Sequence, residues 1–180
     1  MATYFLDFDR TLFDTSAFLA YLIERDNLKE LHGKTEVEQA ALLNPLIVSG
    51  MVEFSAGELT QFFFPDAAEF LKTHSAESVV VTAGNPELQR AKCGNALAIF
   101  PGLKIFYADY ESKGPFIARL EDEFPKPWTF VDDKPTELAS VGTVHPETRL
   151  FQMLRHGLAP HGAYPVLNSF DELMASTDNG

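Results

Sequence analysis

The 180-residue chain has a single cysteine, Cys93. No internal disulfide can form, and the composition fits a reducing, cytoplasmic setting. Positive charge is also scarce: 14 Lys and Arg against 26 Asp and Glu leave a net charge of -12. Nucleic acid and anionic membrane surfaces need a basic footprint, so neither is expected as a partner. A small substrate suits this surface better than a polyanion, although a bound cation can reverse the sign locally. No apolar run reaches the roughly 18 residues needed to cross a bilayer. The first residues lack a basic segment ahead of a long apolar one, so no signal peptide is expected. Internal repeats and low-complexity tracts are missing too. The five histidines show no metal-binding spacing; they read as surface residues, His156 and His161 flanking a Pro/Gly loop.

What the chain has in quantity is packing material. Hydrophobic residues make up 46% of it, and phenylalanine alone occupies 16 positions. That suits one globular domain, with room for a small insertion. Strand patterns occur at "TYFLDF" (3–8), "ESVVVTAG" (77–84), "LKIFYA" (103–108), "WTFVDD" (128–133) and, more weakly, "TRLFQML" (148–154). Helical patterns separate them. "NPELQRAKCGNAL" (85–97) has a capping Asn before a first-turn Pro. "GPFIARLEDEF" (114–124) spaces Phe116, Ile117, Leu120 and Phe124 for one helix face. "KPTELASVG" (134–142) starts at Pro135 and is expected to stop at Gly142. Apolar strands alternating with helices predict an α/β fold with a parallel sheet covered on both faces.

Residues 15–65 break this alternation. They carry no convincing strand but two helical stretches, "SAFLAYLIERDNLKEL" and "TEVEQAALLNPLIVSG". The expected organisation is a core of residues 1–14 and 66–180, interrupted by an all-helical insertion of residues 15–65. The insertion should return to the core through a helix starting near Pro65. "SFDELMASTDNG" reads as a short terminal helix and a frayed tail.

Ligands of open α/β sheets bind beyond the carboxyl ends of the strands. Here those ends carry Asp7, Asp9 and Thr11, then Thr82, Gly84 and Asn85, then Asp132 and Asp133, with Lys113 at a helix start. Two carboxylates one residue apart at a strand end need positive partners. Several carboxylates without His or Cys make a hard-oxygen site suited to Mg²⁺. Lys113, the Thr82 hydroxyl, turn amides and a divalent cation together form a phosphate cradle.

The strings "DFDRT", "VVVT", Lys113 and "VDD", in that order, resemble the four motifs of the haloacid dehalogenase superfamily, over nearly the whole chain. The insertion falls where that family places its C1-type cap. The resemblance implies a Rossmann-like core and a Mg²⁺-dependent phosphatase. Asp7 matches the nucleophile that forms an aspartyl-phosphate, and Asp9 the general acid and base. Because the dehalogenase branch lacks an acid at the second position, Asp9 points to phosphate chemistry. Thr82 and Lys113 match the groups that hold the phosphoryl oxygens and offset charge, with Thr11, Gly84 and Asn85 beside the substrate. Asp132, Asp7 and the Asp9 carbonyl match the metal ligands, and Asp133 acts through water or orients a ligand. The implied substrate is a small phosphorylated metabolite, under a cap that closes over the strand ends and excludes water. The same residues also fit a phosphotransferase or mutase, and a phosphoryl-ligand sensor with little turnover.

Plainer roles compete at several positions. Asp9 and Thr11 could cap a first turn, Thr82 could close a turn, and Asp133 could brace its loop. Lys104, within a strand, is expected to point elsewhere. Glu137 could add a carboxylate around the metal ligands but reads as a solvated helix residue; "FFF" (62–64) reads as core and Cys93 as packing. Arg10 could reach the substrate, reach acids of the insertion, or lie on the surface. Arg25, Lys29, Lys34 and several acids are the insertion's candidate specificity residues, unranked by the sequence.

Overall fold

Tyr4 and Leu6 point to one face of a central strand and Phe5 to the other, and a hydrophobic layer grows on each side. In the computed structural model, which describes residues 2–155 and 157–177, this strand is β1 (Thr3–Leu6). It pairs in parallel with β2 (Ser78–Ala83) and with β4 (Trp128–Asp132). Beyond β2 lies β3 (Lys104–Asp109); beyond β4 lie β5 (Arg149–Met153) and β6 (Val166–Leu167). All pairings are parallel, in the order β3-β2-β1-β4-β5-β6. The chain moves first to one side of β1 and then to the other, so the switch point lies between β1 and β4, where ligands of such sheets bind.

Helices α5 (Lys113–Ala118) and α6 (Pro135–Val144) cover one face, packing Ile117, Leu138 and Val141 onto Phe5, Val79, Val81 and Phe130. The other face carries α3 (Pro65–His74), α4 (Pro86–Ala96) and α7 (Phe170–Thr177). Residues 15–65 sit on that same face, with α1 (Thr15–Arg25), α2 (Glu36–Val48) and short 3-10 turns at Lys29–Leu31 and Glu58–Phe62. Their buried residues, Phe18, Leu22, Leu31, Leu43, Leu59 and Phe62, belong to one continuous hydrophobic cluster with Phe8, Phe13, Cys93 and Leu97. Phe13 contacts the rings of Phe18, Phe62 and Phe63, so the aromatic triplet is core, as expected. Polar ties reinforce the join: Asn95 on α4 accepts from the Leu59 amide and donates to the Ser55 carbonyl.

The structure differs from the sequence expectations in several places. β1 ends at Leu6, although the Asp7 amide still donates to the Val131 carbonyl. Asn85 sits at the start of α4 but its side chain makes no capping bond. The helix expected over 114–124 covers only Lys113–Ala118, the rest being a turn and a 3-10 segment at Glu121–Glu123. α6 runs through Gly142 to Val144, because that glycine serves packing: a Cβ there would meet Leu150 at 2.9 Å. The two-residue β6 carries too little pattern to be read from sequence. His145 is buried against the edge of Trp128, 4.6 Å between centroids, and is no surface residue. Cys93 is packing, and burial pushes its thiol well above the usual range. His156 and the tail at 178–180 lie outside the described residues.

Candidate active site

The loop after β1 turns sharply. The amides of Leu12 and Phe13 both donate to the Phe8 carbonyl, and the Arg10 amide donates to the Phe13 carbonyl. Arg10 takes a left-handed conformation, φ 59°, which is uncommon for a side-chain-bearing residue. This turn points Asp7 inward and Asp9 outward, into different surroundings.

Inward, Asp7, Asp132 and Asp133 bring carboxylate oxygens within 4.8 Å of one another, all buried. Lys113 lies among them, its ammonium bonded to Asp7 and, at 2.6 Å, to Asp132. The lysine is held at the start of α5 by its own backbone: its amide donates to Glu137 at 2.8 Å, and the next amide donates to the Ser140 hydroxyl at 3.1 Å. Glu137 is therefore a half-buried capping partner for α5 and not merely a solvated helix residue. Gly114 permits the approach, since a Cβ there would collide with the Ser140 backbone. Burial opposes charge on Lys113, but Asp132 and Asp7 outweigh it and raise its pKa. Burial and the neighbouring Asp7 push Asp132 up to about 6, against the pull of Lys113. Burial, then repulsion from Asp7 and Asp132, pushes Asp133 up to about 8. The three buried carboxylates share the Lys113 ammonium and the pull of Lys134, still fewer positive charges than carboxylates. Asp7 Oδ2 and Thr82 Oγ1 are buried with no hydrogen-bond partner.

Outward, Asp9 meets three donors. Its Oδ1 accepts from the Thr15 hydroxyl at 2.7 Å and the Lys92 ammonium at 2.5 Å; its Oδ2 accepts from the Gln89 amide at 2.8 Å. Burial alone would raise its pKa, but Lys92, then Thr15 and Gln89, more than offset this and bring it to about 2. Asp9 lies on a cleft of about 170 Å³ between α4 and the insertion. Gly84 and Asn85 line it with Gln89, Lys92 and Lys134; Phe18, Leu19 and Val37 supply the insertion's wall.

The sequence-derived residues thus divide. Asp7, Lys113, Asp132 and Asp133 converge; Asp9, Gly84 and Asn85 line the cleft; Thr82 is buried at the end of β2. Thr11 is fully buried, Oγ1 without a partner, and its carbonyl accepts from Arg155. The first turn of α1 is capped by Asp14, whose carboxylate accepts from the Ala17 amide. Arg10 pairs with Glu36 on the insertion. Lys104 lies over the Phe124 ring, away from the strand ends. Arg25 is bound by Asp26 and Glu58, and neither it, Lys29 nor Lys34 lines the cleft. Lys92 and Gln89 were missed. The available signal was a lysine on the buried face of α4, at helical spacing from Leu88 and Ala96.

No family model and no curated protein matches the chain. Solved structures do. A candidate haloacid dehalogenase-like hydrolase of Burkholderia xenovorans LB400 is 16% identical, with a TM-score of 0.71 over 99% of this chain and 97% of that one. The HAD-hydrolase YfnB of Bacillus subtilis, bound to magnesium, is 13% identical, with a TM-score of 0.65 over 97% of each chain. The L-2-haloacid dehalogenase of Xanthobacter autotrophicus, with chloropropionic acid covalently bound, is 13% identical, with a TM-score of 0.62 over 99% of each. The chain has the haloacid dehalogenase-like fold.

Proposed function

We propose that the chain is a Mg²⁺-dependent phosphatase of the haloacid dehalogenase superfamily, acting on a small phosphorylated metabolite. Residues 15–65 serve as its cap, on a core of residues 1–14 and 66–180. The observation that carries this reading is the inner cluster: Asp7, Asp132 and Asp133, buried within 4.8 Å of one another around Lys113. A hard divalent cation fits a set of carboxylate oxygens that outnumber the positive charges beside them and include an unpartnered buried oxygen on Asp7. Asp7, Asp132, Asp133 and the Asp9 carbonyl would hold it. When bound, Mg²⁺ screens the repulsion between phosphate and carboxylates and templates the displacement.

The remaining chemistry belongs to the chain's own side chains. A carboxylate oxygen of Asp7 forms a bond to phosphorus as the ester P–O bond breaks; Asp9, ionised at rest beside Lys92, first takes the proton of the phosphate monoanion and then gives it to the departing oxygen. Water then attacks the aspartyl-phosphate, passing a proton to Asp9, and inorganic phosphate leaves with Asp7 restored. Lys113 holds Asp7 in place and offsets charge on the phosphoryl group. The unpartnered Thr82 hydroxyl is free to donate to a phosphoryl oxygen. Dehalogenases share the fold, but the acid at position 9 favours phosphate over carbon–halogen chemistry.

Hydrolysis of p-nitrophenyl phosphate tests the reading. Turnover should require Mg²⁺, stop on adding EDTA, and fall by about 10⁴-fold or more in Asp7→Asn. Turnover that survives both treatments contradicts the mechanism.

A further inference from the structure

Two side chains on the cleft wall carry acceptors that the protein itself does not satisfy. Gln89 is 7% exposed and lines the cleft from α4. Its side-chain nitrogen donates to Asp9 Oδ2 at 2.8 Å. An ionised carboxylate can only accept, so the NH2 of Gln89 must face Asp9 and its carbonyl oxygen points elsewhere. That oxygen, Oε1, is buried with no hydrogen-bond partner among the described residues. Asn85 stands one turn earlier, its backbone carbonyl accepting from the Gln89 amide at 2.9 Å. An Asn at a helix start normally spends its side-chain oxygen on the first turn. This one makes no such bond, and its Oδ1 is buried and unpartnered too. It lines the same cleft.

The charged groups around the cleft are already matched. Lys92 pairs with Asp9 and Glu36 with Arg10, and Lys134 is drawn to Asp7 and Asp133. What the cleft lacks is donors, not charge. When Asp9 turns an oxygen to the ester, the cheapest bond to release is a neutral one, which keeps the Lys92 pair. Gln89 suits that release. Its NH2 already lies 3.4 Å from the Ala83 carbonyl, and the torsion carrying the amide is soft. A carboxamide freed from Asp9 can then offer its oxygen to a group beside the ester oxygen.

We infer that the cleft takes phosphomonoesters of polyhydroxylated alcohols, and that Gln89 and Asn85 are the specificity-determining residues that accept from their hydroxyls. The inference rests on the phosphatase reading. The facing wall of Phe18, Leu19 and Val37 is apolar and suits the carbon skeleton of such a molecule. A cavity of about 150 Å³ holds benzene, so a cleft of about 170 Å³ holds a short carbon chain with its hydroxyls. Sites built to bond a hydroxyl reject the analogue without it, because their buried acceptors stay unpaired.

The test compares glycerol 1-phosphate with propyl phosphate, and erythritol 4-phosphate with butyl phosphate, pairs that differ only in hydroxyls. In at least one pair, kcat/KM for the hydroxylated ester should be the greater by about 100-fold. Gln89→Met should cut that ratio to about threefold, and Asn85→Ala to about tenfold. Loss of the Gln89 bond to Asp9 slows both esters of a pair alike, so the ratio separates recognition from positioning. Should Gln89→Met fail to fold, Asn85→Ala, at a half-buried position, carries the test. No preference for the hydroxylated ester in either pair, a ratio that either variant leaves unchanged, or hydrolysis of p-nitrophenyl phosphate alone overturns the inference and leaves the phosphatase reading intact. Hydrolysis of none of the five esters overturns both.

Discussion

Asp7 and Asp9 stand one residue apart on the same turn and are the same chemical group, yet they occupy opposite electrostatic situations. Asp7 belongs to a cluster of three buried carboxylates that share the Lys113 ammonium and the pull of Lys134. Asp9 has a lysine of its own and two neutral donors. The inner cluster is short of positive charge, and the outer group is balanced. Protons can meet such a shortage, as the raised pKa values of Asp132 and Asp133 indicate, and in the proposed function a cation does. A balanced group holds its geometry without a ligand, but must release a donor before Asp9 can act.

Stability should separate the two regions. Asp9→Asn leaves Lys92 as a buried cation without its anion, and should cost about 3 kcal/mol in urea unfolding. An unchanged midpoint would show that the outer pair is not the balanced unit described. The opposite sign is expected inside: at pH 9, above the raised Asp133 pKa of about 8, Asp133→Asn removes a charge that Asp7 and Asp132 repel and should stabilise the metal-free protein by about 1 kcal/mol. A loss of stability there would mean that Asp133 braces its loop more than it strains the cluster. The smallest effect belongs to Arg10→Ala. Its pair with Glu36 is more than one-third exposed on both sides, and such pairs contribute no more than about 1 kcal/mol. The aromatic cluster shared by insertion and core should hold them together without it. A large loss in Arg10→Ala would overturn that ranking.

The same contrast explains what was legible in the sequence. Strand ends are easy to find, because an apolar run stops at its first charged or turn-forming residue. Asp7, Thr82 and Asp132 could therefore be placed at one edge, and the helix starts at Pro65, Pro86 and Pro135 could be read from proline's fixed φ. Lys92 could not be placed, because its partner is 83 residues away and a helical lysine usually reaches water. Arg10 stayed undecided for the same reason: Glu36 meets it only through the folding of the insertion. Glu137 looked solvated because its acceptors' partners lie on α5, a separate helix. The expectation that the insertion forms a cap to close over the site meets an interface built from Phe13, Phe18 and Phe62, which joins insertion and core in a single hydrophobic cluster.

The most direct test of the central claim is calorimetric titration of Mg²⁺ into the purified protein and into Asp132→Asn. The account predicts one ion bound per chain by the wild type and binding lost in the variant, as for a site whose carboxylates lack a cation. No binding to the wild type, or equal binding to both proteins, would contradict it.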